Sequence, residues 1–133
     1  MTFFKKLEII FKMKTIAVVG MSPKIERPSN YVSQYMIKNG FEIIPVNPGH
    51  DVIAGLKSYP SLTKIPKKVD IVNVFRRSKF VEAIAKDAVK INAKVLWLQD
   101  GVIDIEAGKF AEDAGLIVIT NDCILRQHIQ FKH

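Results

Sequence analysis

Residues 15–29 read TIAVVGMSPKIERPS. Thr15–Gly20 (TIAVVG) runs without polar alternation and ends on its glycine. A polar loop follows. Pro28-Ser29 then opens a segment with Tyr31, Val32, Tyr35 and Met36 on one helical face. Ser29 reads as the N-cap of that helix and Gly40 as its stop. Together these form a strand buried on both faces, a long loop and an amphipathic helix, the opening unit of a parallel α/β sheet.

Four more runs repeat the theme: Phe41–Val46 (FEIIPV), Asp70–Phe75 (DIVNVF), Lys94–Gln99 (KVLWLQ) and Leu116–Thr120 (LIVIT). Helical spacing recurs in Ser78–Ile91, through Val81, Ile84, Ala85, Ala88 and Val89. It recurs in Asp104–Ala114, with Asp104 as cap and Gly115 as stop. This order predicts an α/β fold: a three-layer, doubly wound, Rossmann-like parallel sheet of about five strands. Right-handed crossovers with the first strand mid-sheet give the expected order 3-2-1-4-5. The connection Asn47–Val69 holds Pro48, Gly49, Gly55, Pro60 and Pro66 and reads as irregular, with a helical turn at Ser61–Ile65. Residues 1–14 suggest an amphipathic helix through Phe3, Phe4, Leu7, Ile10 and Phe11. It would pack on the domain or on a second subunit. Residues 121–133 read as a tail or short helix, and 1–133 as one domain.

The composition narrows the function. The 133 residues are 48% apolar and 25% charged, which argues against disorder. No apolar run approaches the roughly 20 residues of a membrane span. The N-terminus lacks a signal-peptide pattern, so a cytoplasmic protein is expected. One cysteine, Cys123, excludes an internal disulfide framework and a Cys-rich zinc module. The net charge of +7 rests on 16 Lys and 4 Arg. It fits solvated lysines or attraction of an anionic ligand. The adjacent Arg76 and Arg77 suit phosphate, because the guanidinium fork matches phosphate oxygens. Nothing resembles a nucleic-acid-binding motif.

In such sheets ligands bind outside the carboxyl ends of the strands. That selects the loops Gly20–Ser29, Asn47–His50, Phe75–Arg77 and Gln99–Gly101. The first loop keeps only Gly20 of the dinucleotide fingerprint G-x-G-x-x-G. The second strand ends Pro45-Val46-Asn47-Pro48, without the carboxylate that holds an NAD ribose or an arginine suited to NADP. Ser22 offers a hydroxyl and Arg27 a cation. Ser29 lies at a helix N-terminus, which favours an anion. Asn47 could bond a ribose or form an Asx turn.

The phrases KTIAVVGMSPKIERPS, IIPVNPGH, SYPSL, DIVNVFRR, AKVLWLQDGV and Asn121-Asp122-Cys123, in this order, resemble one family. It comprises the small stand-alone CoA-binding proteins of the YccU type. These are Rossmann domains related to the CoA-binding domain of succinyl-CoA synthetase α subunits. The resemblance implies that Gly20, Met21 and Ser22 wrap the CoA diphosphate or its ribose, with Arg27 and Ser29 nearby. It implies that Val46, Asn47 and Pro48 line the adenosine end. Phe75 and Arg76 would contact nucleotide or pantetheine, with Gln99 in the same cleft. Two positions depart from the family pattern. Asp100 adds a negative charge after Gln99, and Gln127 replaces an acid in the tail.

Other chemistry is thinly supported. Cys123 could meet the CoA thiol or be an inert thiol. Cys123 with His128 lacks an orienting third group for catalysis. His50, His128 and His133 lack metal-ligand spacing. Trp97 reads as packing. The expected function is therefore binding of coenzyme A or an acyl-CoA, with no catalysis by the chain alone and a homodimer or protein partner left open. The alternatives are a small nicotinamide-nucleotide-dependent oxidoreductase, a CoA-dependent subunit that needs a partner chain, or an interaction protein whose cleft has lost its ligand.

Overall fold

The computed structural model describes residues 1–132. His133, placed above in the tail and among the scattered histidines, lies outside the described residues. The elements in order are α1 (Phe3–Ile10), β1 (Thr15–Val19), α2 (Pro28–Lys38), β2 (Glu42–Val46), β3 (Val52–Ile53) and β4 (Leu56–Lys57). They continue with β5 (Ile71–Val74), α3 (Val81–Lys90), β6 (Val95–Leu98), α4 (Ile105–Asp113), β7 (Ile117–Ile119) and α5 (Ile124–Lys132). Short 3₁₀ turns occupy Leu62–Lys64 and Ser78–Phe80.

Five strands form one parallel sheet in the order β2-β1-β5-β6-β7. Their side chains alternate cleanly. Ala17, Val19, Val72, Val74, Leu96 and Leu98 face the layer of α3, α4 and the Leu62 turn. Ile16, Val18, Ile71, Val95 and Trp97 face the layer of α1, α2 and α5. The predicted three-layer α/β sheet is therefore present.

The strand order differs from 3-2-1-4-5. Counting sheet strands along the chain, it is 2-1-3-4-5, because β5 pairs with β1 rather than with the outer edge of β2. Pro45 supplies the physical reason. It lacks the N–H that an interior strand must donate, which confines it to an edge. The Asn47–Val69 connection itself covers that edge. The Tyr59 N–H donates to the Pro45 carbonyl (3.1 Å), and the Asn47 N–H to the Tyr59 carbonyl (2.9 Å). A third strand has no edge left on that side.

The same connection holds a small antiparallel hairpin, β3–β4, which the Pro/Gly content had suggested would be irregular. Its two-residue turn places Ala54 (φ 54°) and Gly55 (φ 75°) in the left-handed region. The Leu62–Lys64 turn falls within the expected Ser61–Ile65.

Helix α2 starts at Pro28, and Ser29 does not cap it. Proline's fixed φ suits the first helical position, so the cap is Arg27, which makes no side-chain cap bond. Asp104 does cap α4, accepting the Ala107 N–H at 3.0 Å. Helix α1 docks on its own chain, burying Leu7 and Ile10 while Phe11 meets Phe41, Trp97, His128 and Phe131. Trp97 is fully buried, and its indole N–H donates to the Asp122 carbonyl at 2.9 Å. Among the described residues no helix is long and apolar enough to cross a membrane.

Candidate functional site

The carboxyl ends of β1, β2 and β5 open into a cleft of about 580 Å³. Gly20, Ser22, Lys24, Arg27, Ser29, Asn47, His50 and Phe75 line it, with Pro23 and Pro28. The first loop is tied down at both ends. The Gly20 N–H donates to the Val46 carbonyl (2.9 Å), and the Ser22 N–H donates to the Ser29 hydroxyl (2.9 Å). Asn30 Nδ2 donates to the Ser22 carbonyl (2.9 Å). Ser29 thus anchors the loop.

Asn47 braces the β1 and β2 loops against each other. Its Nδ2 donates to the Met21 carbonyl, and its Oδ1 accepts the Gly49 N–H, both at 2.9 Å. Gly20 has φ +87°, and a Cβ there would lie 2.8 Å from Arg76 Cδ. Only glycine fits this crossing without a shift.

The cleft is electrically one-sided. None of its lining residues is acidic, and Lys24 and Arg27 are exposed. The first amides of a helix have no intrahelical partner. In α2 only the Ser29 N–H is left open among the described residues: Pro28 has none, and the Asn30 and Tyr31 N–H groups both donate to the Arg27 carbonyl (2.9 and 3.1 Å).

A second cavity of about 380 Å³ shares Pro28 and Phe75 with the cleft. This trough is walled by Tyr31, Val32, Val102, Leu125, Cys123 and Gln99. Gln99 Oε1 accepts the Ile124 N–H at 3.0 Å, which fixes the start of α5. At the trough's rim Arg126 makes two parallel bonds to Asp100 (3.1 and 2.8 Å) and a third to Asp122 (2.9 Å). The Asp100 carboxyl is held below the usual range, first by hydrogen bonding from Arg126. Arg126 therefore counters the charge that Asp100 brings to the site, while sharing its guanidinium with Asp122. Gln127 Nε2 donates to both oxygens of Asp122 (3.1 and 3.0 Å), where a second acid would repel.

The remaining predicted residues lie elsewhere on the same edge. Val46, Pro48 and Arg76 line a smaller pocket of about 180 Å³ on the opposite face of the sheet. There the Arg76 guanidinium carbon stacks 4.0 Å from the Phe80 ring centroid. Met21 is fully buried in the core and presents only its backbone carbonyl to this region. Lys24 and His50 are cleft residues that sequence reasoning had not singled out, although both fall in the loops it selected.

Cys123 and His128 do not form a pair. His128 Nδ1 is 2.8 Å from the Tyr35 hydroxyl, and its ring packs edge-on against Phe11 and Phe41. Burial, and then the Lys132 charge, push the His128 pKa down.

Several known proteins resemble this chain in sequence and fold. A family model described as CoA binding domain matches residues 14–129. An uncharacterized protein, YneT, from Bacillus subtilis is 42% identical over 91% of this chain and 90% of its own length. A hypothetical protein from Pyrococcus horikoshii has a solved structure that superposes with a TM-score of 0.95 at 38% identity, covering 100% of this chain and 94% of that one. Acetate–CoA ligase (ADP-forming) II from Archaeoglobus fulgidus is 32% identical over 80% of this chain, which spans only 16% of the ligase. The sheet-edge cleft, the order of the loop motifs and these likenesses lead to one assignment: the chain belongs to the CoA-binding domain family.

Proposed function

We propose that the chain binds coenzyme A or an acyl-CoA along the carboxyl edge of the sheet and carries out no reaction by itself. The observation that carries this is the acid-free cleft, with the uncapped start of α2, Lys24 and Arg27 on one side of it. A diphosphate is the group such a wall suits, through the positive end of α2 with its open Ser29 amide and charge-assisted hydrogen bonds from Lys24 and Arg27. Gly20, the Met21 backbone, Ser22 and Ser29 shape the wall. Val46, Asn47, Pro48 and Arg76 offer a place for the adenosine end. Phe75 and Gln99 continue the path into the trough.

The nicotinamide alternative finds less support. β2 ends in Asn47, whose amide already bonds Met21 and Gly49, and not in the carboxylate that would accept both hydroxyls of an NAD ribose. A non-catalytic role is supported by the engagement of His128 with Tyr35, away from Cys123. The ligase likeness supports a shared ligand, and also a role beside a partner chain.

Thermal shift with CoA, dephospho-CoA, NAD and NADP tests the reading. CoA at a hundred times its Kd should stabilise by about 2.7 kcal/mol, a readily seen shift. A weaker shift with dephospho-CoA marks a 3′-phosphate contact. A larger response to NAD or NADP than to CoA, or none to CoA at millimolar concentration, refutes it.

A further inference from the structure

We infer that the trough is a thioester pocket, in which Gln99 Nε2 donates to the carbonyl oxygen of a short, uncharged acyl group. The inference rests on the CoA reading above and extends it from the carrier to its cargo. Gln99 is only 3% exposed and lines the trough. Its Oε1 is committed to the Ile124 N–H. That commitment sets the orientation of the amide, and Nε2 makes no hydrogen bond among the described residues. Unlike Asn30 Oδ1 and Asn73 Oδ1, this nitrogen is not sealed away without a partner; it keeps contact with the open trough and is free to donate to an acceptor there.

The charge distribution says which end of the ligand enters. The cleft, with its exposed Lys24 and Arg27 and no acid, suits the phosphates. The trough offers Val32, Phe75, Val102 and Leu125, and its one acid, Asp100, is already paired with Arg126. An uncharged end therefore enters there. A thiol is a poor acceptor for an amide N–H, whereas a thioester carbonyl oxygen is a good one. A cavity of about 380 Å³ that must also hold the end of pantetheine leaves room for a short chain. A carboxylate on that chain would meet Asp100 and no unpaired cation.

The test is calorimetric titration of the full chain with four ligands: CoA, acetyl-CoA, S-ethyl-CoA and succinyl-CoA. S-ethyl-CoA keeps the apolar bulk but lacks the carbonyl. One neutral hydrogen bond predicts acetyl-CoA to bind about fivefold more tightly than CoA or S-ethyl-CoA. Succinyl-CoA should bind more weakly than acetyl-CoA. Gln99→Glu keeps the acceptor for Ile124 and replaces the donor, so the ratio of acetyl-CoA to S-ethyl-CoA affinity should fall to about one, whatever the variant does to CoA affinity itself.

Equal affinities for acetyl-CoA and S-ethyl-CoA overturn the inference without any mutant. So does an acetyl preference that survives in a folded Gln99→Glu variant. Absence of binding by all four ligands refutes the CoA reading itself, a result distinguishable from equal binding.

Discussion

The cleft and the trough share Phe75 and Pro28, yet they are opposite in character. The cleft has exposed cations and backbone, held by side chains that spend their polar atoms on the loop. The trough has apolar walls, and its charges close on one another through Arg126, Asp100 and Asp122. A ligand with an anionic end and an uncharged end suits the pair better than either cavity alone. The contrast also shows how charge can be useful in one place and silent some residues away. Arg27 is exposed on the cleft wall with no ion pair among the described residues, whereas Arg126 is consumed by carboxylates of its own chain.

The largest effect should come from breaking the cleft's side of this contrast. Arg27→Ala is expected to weaken CoA binding by about tenfold to a hundredfold, the value of a charge-assisted hydrogen bond of roughly 1.5–3 kcal/mol. The melting midpoint without ligand should hardly change, because Arg27 is exposed and supplies no side-chain cap. Calorimetry and thermal melts separate the two. An unchanged CoA affinity removes Arg27 from the site.

Gly20→Ala acts next, on the scaffold. It puts a Cβ into the left-handed region and 2.8 Å from Arg76 Cδ. A strained residue of this kind costs about 1–3 kcal/mol, read as a lowered midpoint in denaturant unfolding. Gly40 offers the comparison. Its φ is similar at +93°, but nothing lies within 4 Å of a Cβ there. Gly40→Ala should therefore cost less, and equal losses would show that the Arg76 crossing adds nothing.

Much of this was legible in the residues. The five strands fall within their apolar runs because buried parallel strands need no polar alternation. The cleft at the carboxyl edge was legible because the loops there carry the polar residues. The strand order was misread although Pro45 was in view, since its missing N–H forbids β2 an interior place. Ser29 was misread because capping and loop anchoring use the same hydroxyl, and only the fold shows the Ser22 N–H arriving there. The trough was hardest to foresee. It depends on α5 closing over Gln99, and Cys123 and Leu125 reach it from the far end of the chain.

The packing behind the trough should respond to pH. Helix α5 supplies Leu125 to the trough and, a turn later, His128 to the aromatic cluster of Phe11, Tyr35 and Phe41. The folded state holds His128 below its ordinary pKa, chiefly by burial. The unfolded chain therefore binds more protons below about pH 6.5, and stability rises with pH in that range. The contribution is complete above the unfolded value and is lost as the pH falls through the folded one. Urea midpoints should decline below about pH 6.5 in the wild type, and less so in His128→Gln. Parallel declines in the two proteins would assign the acid sensitivity to other groups.

The smallest effect should follow Arg126→Ala, and it sharpens the contrast most directly. Arg126 and Asp100 are both largely exposed, and surface pairs of this kind contribute little to stability. The melting midpoint should barely move. What changes is the charge at the trough's rim: Asp100 loses the hydrogen bonds that hold its carboxyl low, and its negative charge is no longer countered. Binding through the neighbouring cationic cleft, which Arg126 does not line, should persist, so CoA itself is the internal control. A ligand with a negatively charged acyl end should lose affinity more than CoA does. Equal losses for both would show that the rim pair senses the whole ligand and that the two cavities are not electrically separate. A selective loss would show that Arg126 keeps Asp100 silent so that the trough can accept an uncharged end.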